Sequence, residues 1–228
     1  MVIEGWDAVG TGGLIQHLTA PLDPRGYQVW PIGVPTATER GEQYLQRFWR
    51  RLPRDGMFAI FDRSWCGRVL VERTEGLTKP AEWRRAYGEI NAFEKMLTDD
   101  GVTIVKLFLH ASVGAQRERL RARLADPLES WKASLSDMQN VLLRPDYEAA
   151  INEMFERCSP PSAPWSAVAF EDKLFGRIAA LETIASRLGE GMDLTLPPLD
   201  KAIVAAARRA GLWPGKAARQ VKREKVSR

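Results

Sequence analysis

Two cysteines, Cys66 and Cys158, and two histidines, His17 and His110, are all that the 228 residues contain of either type. So few thiols cannot staple a scaffold, and a chain of this length can bury a core without staples. Neither histidine sits beside a second cluster of ligand-type residues, so no zinc centre is indicated, and both read as structural. No apolar run is long enough to cross a bilayer, and the opening residues do not read as a secretory leader. A reducing, cytoplasmic setting away from membranes is the expectation. There is no internal repeat. Neither charge sign dominates: 33 Lys and Arg against 29 Asp and Glu leave +4, which by itself selects no polyanionic partner. Part of the excess collects between Arg208 and Arg228, at Lys216, Arg219, Lys222, Arg223, Lys225 and Arg228. That tail reads first as a solvated terminus, and without basic residues interleaved with aromatics it argues against nucleic acid.

What is present is a stretch near the start, Glu4-Gly5-Trp6-Asp7-Ala8-Val9-Gly10-Thr11-Gly12-Gly13, led in by Val2 and Ile3 and followed by the helix-like Leu14-Ile15-Gln16-His17-Leu18. Strand, glycine-rich turn and helix in that order let backbone N–H groups converge on an anion where the helix begins. Gly5 and Gly10 have the Walker spacing, but Thr11 stands where a Walker loop carries lysine. The first strand is so short that its ladder positions are incomplete, which suggests a truncated or split chain.

Strands and helices then alternate. Tyr27 to Ile32 reads as a strand, Pro35 to Arg51 as one long helix, and Met57 to Phe61 as a buried strand. A helix over Glu82 to Leu97 carries the stripe Trp83, Tyr87, Ile90, Phe93 and Leu97, and Val102 to Leu109 is a further strand. After an arginine-dense helix from Gln116 to Leu124 comes a break at Asp126-Pro127 and a polar stretch to Asp146. Tyr147 to Arg157 is a helix and Trp165 to Phe170 a strand. The closing helix runs to about Leu188 with Ile178, Leu181, Ile184 and Leu188 inward. The expected architecture is an α/β three-layer sandwich: a central, mostly parallel sheet of about five strands, ligands at its C-terminal edge, and a helical lid over about 113–146. Residues 1–189 form that domain, and 190–228 a linker, short helix and basic tail.

Asp62, at the end of an apolar strand, has the placement of a Walker B carboxylate, which meets Mg²⁺ or its water shell. Taken without the glycine loop, a strand-end aspartate is more often a turn or cap residue. Arg47 and Arg50 lie beside the apolar stripe of Tyr44, Leu45, Phe48 and Trp49, where spacing does not separate a phosphate-binding face from a solvated one.

Taken together, the loop from Gly5 to Gly13, Asp62-Arg63-Ser64-Trp65, Trp131-Lys132, Arg47-Phe48-Trp49-Arg50, Ala163-Pro164-Trp165 and Asp172-Lys173 resemble the family-2 polyphosphate kinases, over roughly Val2 to Leu188. The resemblance implies a P-loop kinase fold similar to thymidylate kinase. It also implies Mg²⁺-dependent phosphoryl transfer between inorganic polyphosphate and a nucleoside mono- or diphosphate, with a homo-oligomer left open. By that resemblance Asp7 and Asp62 hold metal, and Arg63 contacts phosphate in the catalytic set. Gly10, Thr11, Gly12 and Gly13 cradle phosphate, with Arg47, Arg50, Arg68, Arg119, Arg123 and Lys132 as further phosphate ligands. The chain departs from the pattern at Thr11, at Cys66 in place of tyrosine, across Val141-Leu142-Leu143-Arg144-Pro145, and in having no helical segment before the first strand. Loss of one preorganised donor costs about 3–4 kcal/mol, or a hundred- to thousandfold in rate. An inactive relative that binds polyphosphate or nucleotide, or pairs with an active subunit, is therefore the alternative expectation.

Overall fold

The computed structural model describes residues 1–213, so most of the basic tail, from Lys216 to Arg228, lies outside the described residues. Five parallel strands form one sheet: β1 (Val2–Gly5), β2 (Tyr27–Pro31), β3 (Phe58–Asp62), β4 (Lys106–His110) and β5 (Trp165–Ala169), in the order β2-β3-β1-β4-β5. Helices connect them: α1 (Thr11–Thr19), α2 (Ala37–Arg40), α3 (Gln46–Trp49), α4 (Val71–Thr74), α5 (Pro80–Asp99), α6 (Val113–Ala125), α7 (Leu135–Leu142), α8 (Arg144–Arg157) and α9 (Lys173–Gly189). A second compact unit begins at Gly191 and contains α10 (Lys201–Arg209). No helix among the described residues is long and apolar enough to cross a membrane.

β1 is central, pairing with β3 on one side and β4 on the other, with Gly5 opposite Leu109 and Ile3 opposite Asp62. From β1 the chain passes to the edge strand β2, steps back inward to β3, then crosses β1 to β4 and β5 on the other flank, so the C-terminal end of β1 is the switch point where open α/β sheets bind ligands. Burial explains why the inner strands read as continuous apolar runs: Val2, Ile3, Ile60, Phe61, Leu107 and Leu109 are all buried, because helices cover both faces. On α5 the stripe from Tyr87 through Ile90 and Phe93 to Leu97 is buried as its spacing requires, and Trp83 packs at its edge.

The long helix expected from Pro35 to Arg51 is two short ones. Thr36 and Glu39 form a reciprocal capping box that starts α2, and Gly41 ends it, its N–H turning back to the Thr38 carbonyl at 3.0 Å. The polar stretch after Asp126 is more ordered than its composition suggests, because Ser134 and Asp137 form a second capping box that starts α7. The fourth strand begins at Lys106 rather than Val102, and Ile178 of α9 faces outward at 59% exposure. In its place Ala180 is buried, with Ile184.

Lys106 and Glu94 tie β4 to α5 in the deepest part of the core. The Lys106 Nζ donates to Glu94 Oε2 at 2.6 Å and to the Cys158 carbonyl at 2.8 Å, while Trp65 Nε1 donates to Glu94 Oε1 at 2.9 Å. Neither charged side chain has any exposure.

Candidate active site

Beyond β1 the backbone turns through the left-handed region at Ala8 (φ 60°) and Gly10 (φ 122°) before entering α1. Gly10 is the N-cap residue and supplies no side-chain oxygen, and the first turn of α1 holds no acid. The first-turn N–H groups of Thr11, Gly12 and Gly13 therefore meet the cleft without a capping side chain, at the positive end of the helix dipole. Ala8 shares positive φ with one other non-glycine residue among those described, Arg63 (φ 66°), and both lie at this site. Strain held at two positions around one cleft is a mark of function.

The cleft has a volume of about 600 Å³. Its floor is the loop from Gly5 to Gly13. Asp62 and Arg63 form one wall, and Arg123, Glu129, Lys132 and Asp137 lie on the side toward α6 and α7. Lys173 and Arg177 of α9 face the loop. Most of these charges are matched: Arg63 Nη2 donates to Asp7 Oδ1 at 2.8 Å, Lys132 meets Glu129 at 2.6 Å, and Arg123 lies 3.6 Å from Asp137. Asp7 Oδ2 accepts from Asn140 Nδ2 at 2.7 Å. Among the described residues, Asp62, Lys173 and Arg177 are the charged groups of the cleft with no ion pair or side-chain hydrogen bond. Burial raises the Asp62 carboxyl above its ordinary value, with Arg63 acting in the opposite direction. Burial lowers the Lys173 ammonium, and the neighbouring Arg119, Arg177 and Arg123 push the same way.

The structure thus brings together Asp7, Gly10, Thr11, Gly12, Gly13, Asp62, Arg63, Arg123 and Lys132 from the residues singled out in the sequence. Four arginines of that set are engaged elsewhere. Arg47 is buried, donating to the Gly33 carbonyl at 3.0 Å with Glu39 3.5 Å from its Nε, and Arg50 grips Glu42 through two hydrogen bonds of 2.9 and 2.7 Å. Arg68 pairs with Glu72 at 2.9 Å and stacks on the Tyr44 ring. Arg119 donates to three carbonyls, of Val9, Phe170 and Glu171, which joins the loop to the start of α9.

Asp172-Lys173 entered only as a stretch of the family resemblance with no role given to Lys173, and spacing gave no hint of Arg177; what was legible is a pair of cations at i,i+4 in the first two turns of α9, where the dipole disfavours them. Nor did it find Arg144, which stacks 3.8 Å from the Trp6 ring centroid and donates to Gln116 Oε1 and the Ala111 carbonyl.

Glu4, one residue before the loop, is buried and accepts from Ser64 Oγ at 2.6 Å. Burial pushes its carboxyl up to about 7, against the pull of Ser64 and Arg63 and with a small push from Asp62. The folded value lies above the unfolded one, so the cost of ionising Glu4 is absent below about pH 4.5 and grows until pH 7. Glu4→Gln keeps an acceptor for Ser64 and removes that cost. Its stability relative to the parent should improve by on the order of 2–4 kcal/mol between about pH 4 and pH 8, read by denaturant unfolding. A difference that stays flat with pH would show that Glu4 is not held in this way.

A parallel sheet whose central strand runs into an uncapped glycine loop, with an acid at the end of the adjacent strand, is the P-loop kinase fold. Within that class the chain belongs to the polyphosphate kinase 2 family: the family profile "Polyphosphate kinase 2 (PPK2)" matches residues 1–193. The chain is 46% identical over 187 residues to a polyphosphate:AMP phosphotransferase of Pseudomonas syringae pv. tomato, covering 82% of this chain and 38% of that one. It is 36% identical over 187 residues to a GDP-polyphosphate phosphotransferase of Mycolicibacterium smegmatis, covering 82% of this chain and 66% of that one. The crystal structure of polyphosphate kinase 2 from Arthrobacter aurescens TC1 superposes with a TM-score of 0.84 at 35% identity, over 92% of this chain and 74% of the other. The chain spans about two fifths of the length of the Pseudomonas relative.

Proposed function

We propose that this cleft transfers a phosphoryl group between inorganic polyphosphate and a nucleoside mono- or diphosphate. The observation that carries the reading is the glycine loop with its first-turn N–H groups uncapped, facing a half-buried Asp62 carboxylate that has no hydrogen bond among the described residues. Donors without an acceptor and an acid without a donor call for a ligand that is anionic on one side and cationic on the other. A phosphate with its counter-ion is such a ligand. The names of the relatives, which act on polyphosphate with AMP or GDP, support the substrate class.

The donor set fits Mg²⁺, which takes one or two carboxylates and leaves its remaining positions to water and phosphate oxygens. Asp62 would hold it, and Asp7 would join through the oxygens it now shares with Arg63 and Asn140. No group of three or more His, Cys, Asp or Glu gathers among the described residues, so an all-protein metal cage is not what this site offers. When bound, the ion would neutralise charge on the bridging phosphates.

In the forward step an oxygen of the acceptor phosphate forms a P–O bond to the terminal phosphorus of polyphosphate. The bridging P–O bond breaks, and its electron pair leaves on the oxygen of the shortened polymer. The loop N–H groups orient the phosphates and Arg63 meets developing charge, so catalysis is positioning and charge complementarity without a covalent nucleophile.

Purified protein incubated with long-chain polyphosphate, Mg²⁺ and AMP, ADP or GDP in turn should form the next higher phosphate, measured by chromatography, and chelation by EDTA should abolish it. No product with any acceptor would overturn the reading, and polyphosphate binding without product would leave a binding module in its place.

A further inference from the structure

The loop reaches the cleft with a hydroxyl, Thr11, where a Walker loop carries lysine, yet the cleft is not short of positive charge. Lys173 and Arg177 lie four residues apart at the start of α9, on the wall that faces the loop. A β-carbon built on Gly10 would lie 3.9 Å from the Lys173 Cγ, and one built on Gly13 only 2.8 Å from Arg177 Nη2. Both side chains thus lie directly against the backbone that forms the phosphate cradle. Neither has an ion pair or hydrogen bond among the described residues, and the Arg177 Nε is buried without a partner. The nearby acids are engaged: Asp172 caps α9 through the N–H groups of Leu174 and Phe175, and Glu129 holds Lys132.

Such an arrangement costs stability. Two cations sit in the first turns of α9, where the dipole opposes them, and they face the positive end of α1 across a partly desolvated gap. Among the described residues Glu129 offsets part of that repulsion at Lys173, but it is itself held by Lys132, and an anion at the loop would offset more. The cations of the lid side, Arg123 and Lys132, have carboxylate partners, so a phosphate could recruit them only by breaking those pairs.

We propose that Lys173, backed by Arg177, supplies at the transferring phosphoryl group the positive charge that the loop lacks at Thr11. The inference rests on the phosphoryl-transfer reading above and gives that site its missing part. Lys173, within the Asp172-Lys173 stretch that also carries the family resemblance, reaches the loop from the start of α9. Lys173 makes no contact that the fold depends on, so replacing it should leave the melting temperature unchanged or raise it.

The test is a double-mutant cycle at positions 11 and 173, with long-chain polyphosphate and AMP as substrates. Lys173→Met should lower kcat about a hundredfold, the scale for loss of one group preorganised at developing charge. Lys173→Arg should stay within about tenfold of the parent, because a guanidinium also meets phosphate. Thr11→Lys should restore Lys173→Met by at least about tenfold while changing the parent far less, since one cation then does the work of the other. A Lys173→Met protein within about twofold of the parent, or one that Thr11→Lys fails to restore, would overturn the proposal. If the parent forms no product, the transfer reading falls, and the same four proteins are compared by fluorescence polarisation of end-labelled polyphosphate. A roughly tenfold loss of affinity in Lys173→Met, reversed by Thr11→Lys, then upholds Lys173 as the phosphate-binding cation. Equal affinity in all four, or no binding by the parent, overturns it.

Discussion

Asp62→Asn should lower phosphoryl transfer by on the order of a thousandfold and leave the protein as stable as the parent or more so. Asparagine keeps the shape of the side chain, so packing around β3 is unchanged. It removes the one carboxylate of the cleft that no group among the described residues satisfies, and with it the charge that would face a metal ion and its phosphates. Stability moves the other way because burial already raises the Asp62 carboxyl, making its ionised form a cost in the folded protein. A raised value means that this cost is absent in acid and present at neutral pH, so the gain from Asp62→Asn should appear above the ordinary carboxylate range and vanish below it. Steady-state kinetics and denaturant unfolding on the same preparation separate the two effects. Loss of activity together with loss of stability would show that Asp62 serves the fold; unchanged activity would remove it from the reaction.

Lys106→Met should destabilise the protein by about 3–5 kcal/mol, because it leaves the Glu94 carboxylate uncompensated where the side chain has no exposure to solvent. For a chain of this size that corresponds to a fall in melting temperature of roughly 6–20 °C. The second half of the prediction is that Glu94→Gln, made in the same chain, recovers most of the loss. A glutamine oxygen still accepts from Trp65 Nε1, and a neutral pair in a dry core owes no desolvation penalty for charge. Thermal unfolding of the parent, the two single variants and the double variant decides it: additive effects would mean that the two side chains act independently. The consequence reaches the site, since β4 carries the register that sets Leu109 against Gly5 at the start of the loop.

The loop was legible from residue types alone because its chemistry is local. Glycines at fixed offsets between an apolar strand and a helix specify a turn and a set of N–H directions without reference to the rest of the chain. Asp62 was legible for the same reason, as the polar end of a run too apolar to be anything but a buried strand. What stayed hidden was set by partners far along the chain. Arg119 looked like a lid cation, but its fate depended on the carbonyls of Phe170 and Glu171, some fifty residues away. Arg47 looked like part of the charged face of a long helix, and the break at Gly41 is what lets Glu39 fold back onto it and onto Arg51. Lys173 and Arg177 enter the cleft only because β5 lies beside β4, two strands from the loop in the sheet, and α9 returns toward α1.

The three carbonyls held by Arg119 have a further consequence, for the entropy of binding. A glycine-rich loop left to itself samples many conformations, and a ligand that fixes it must offset their loss, at roughly 1–2 kcal/mol for each residue ordered. Here one guanidinium ties Val9 of the loop to Phe170 and Glu171, and so to the strand β5 and the helix α9 on the other side of the cleft. The cradle is ordered by folding rather than by its ligand. On the proposed reading, a polymer with one phosphate after another would meet the same shape each time, and the affinity for each unit need not be large for the unit to be held in line.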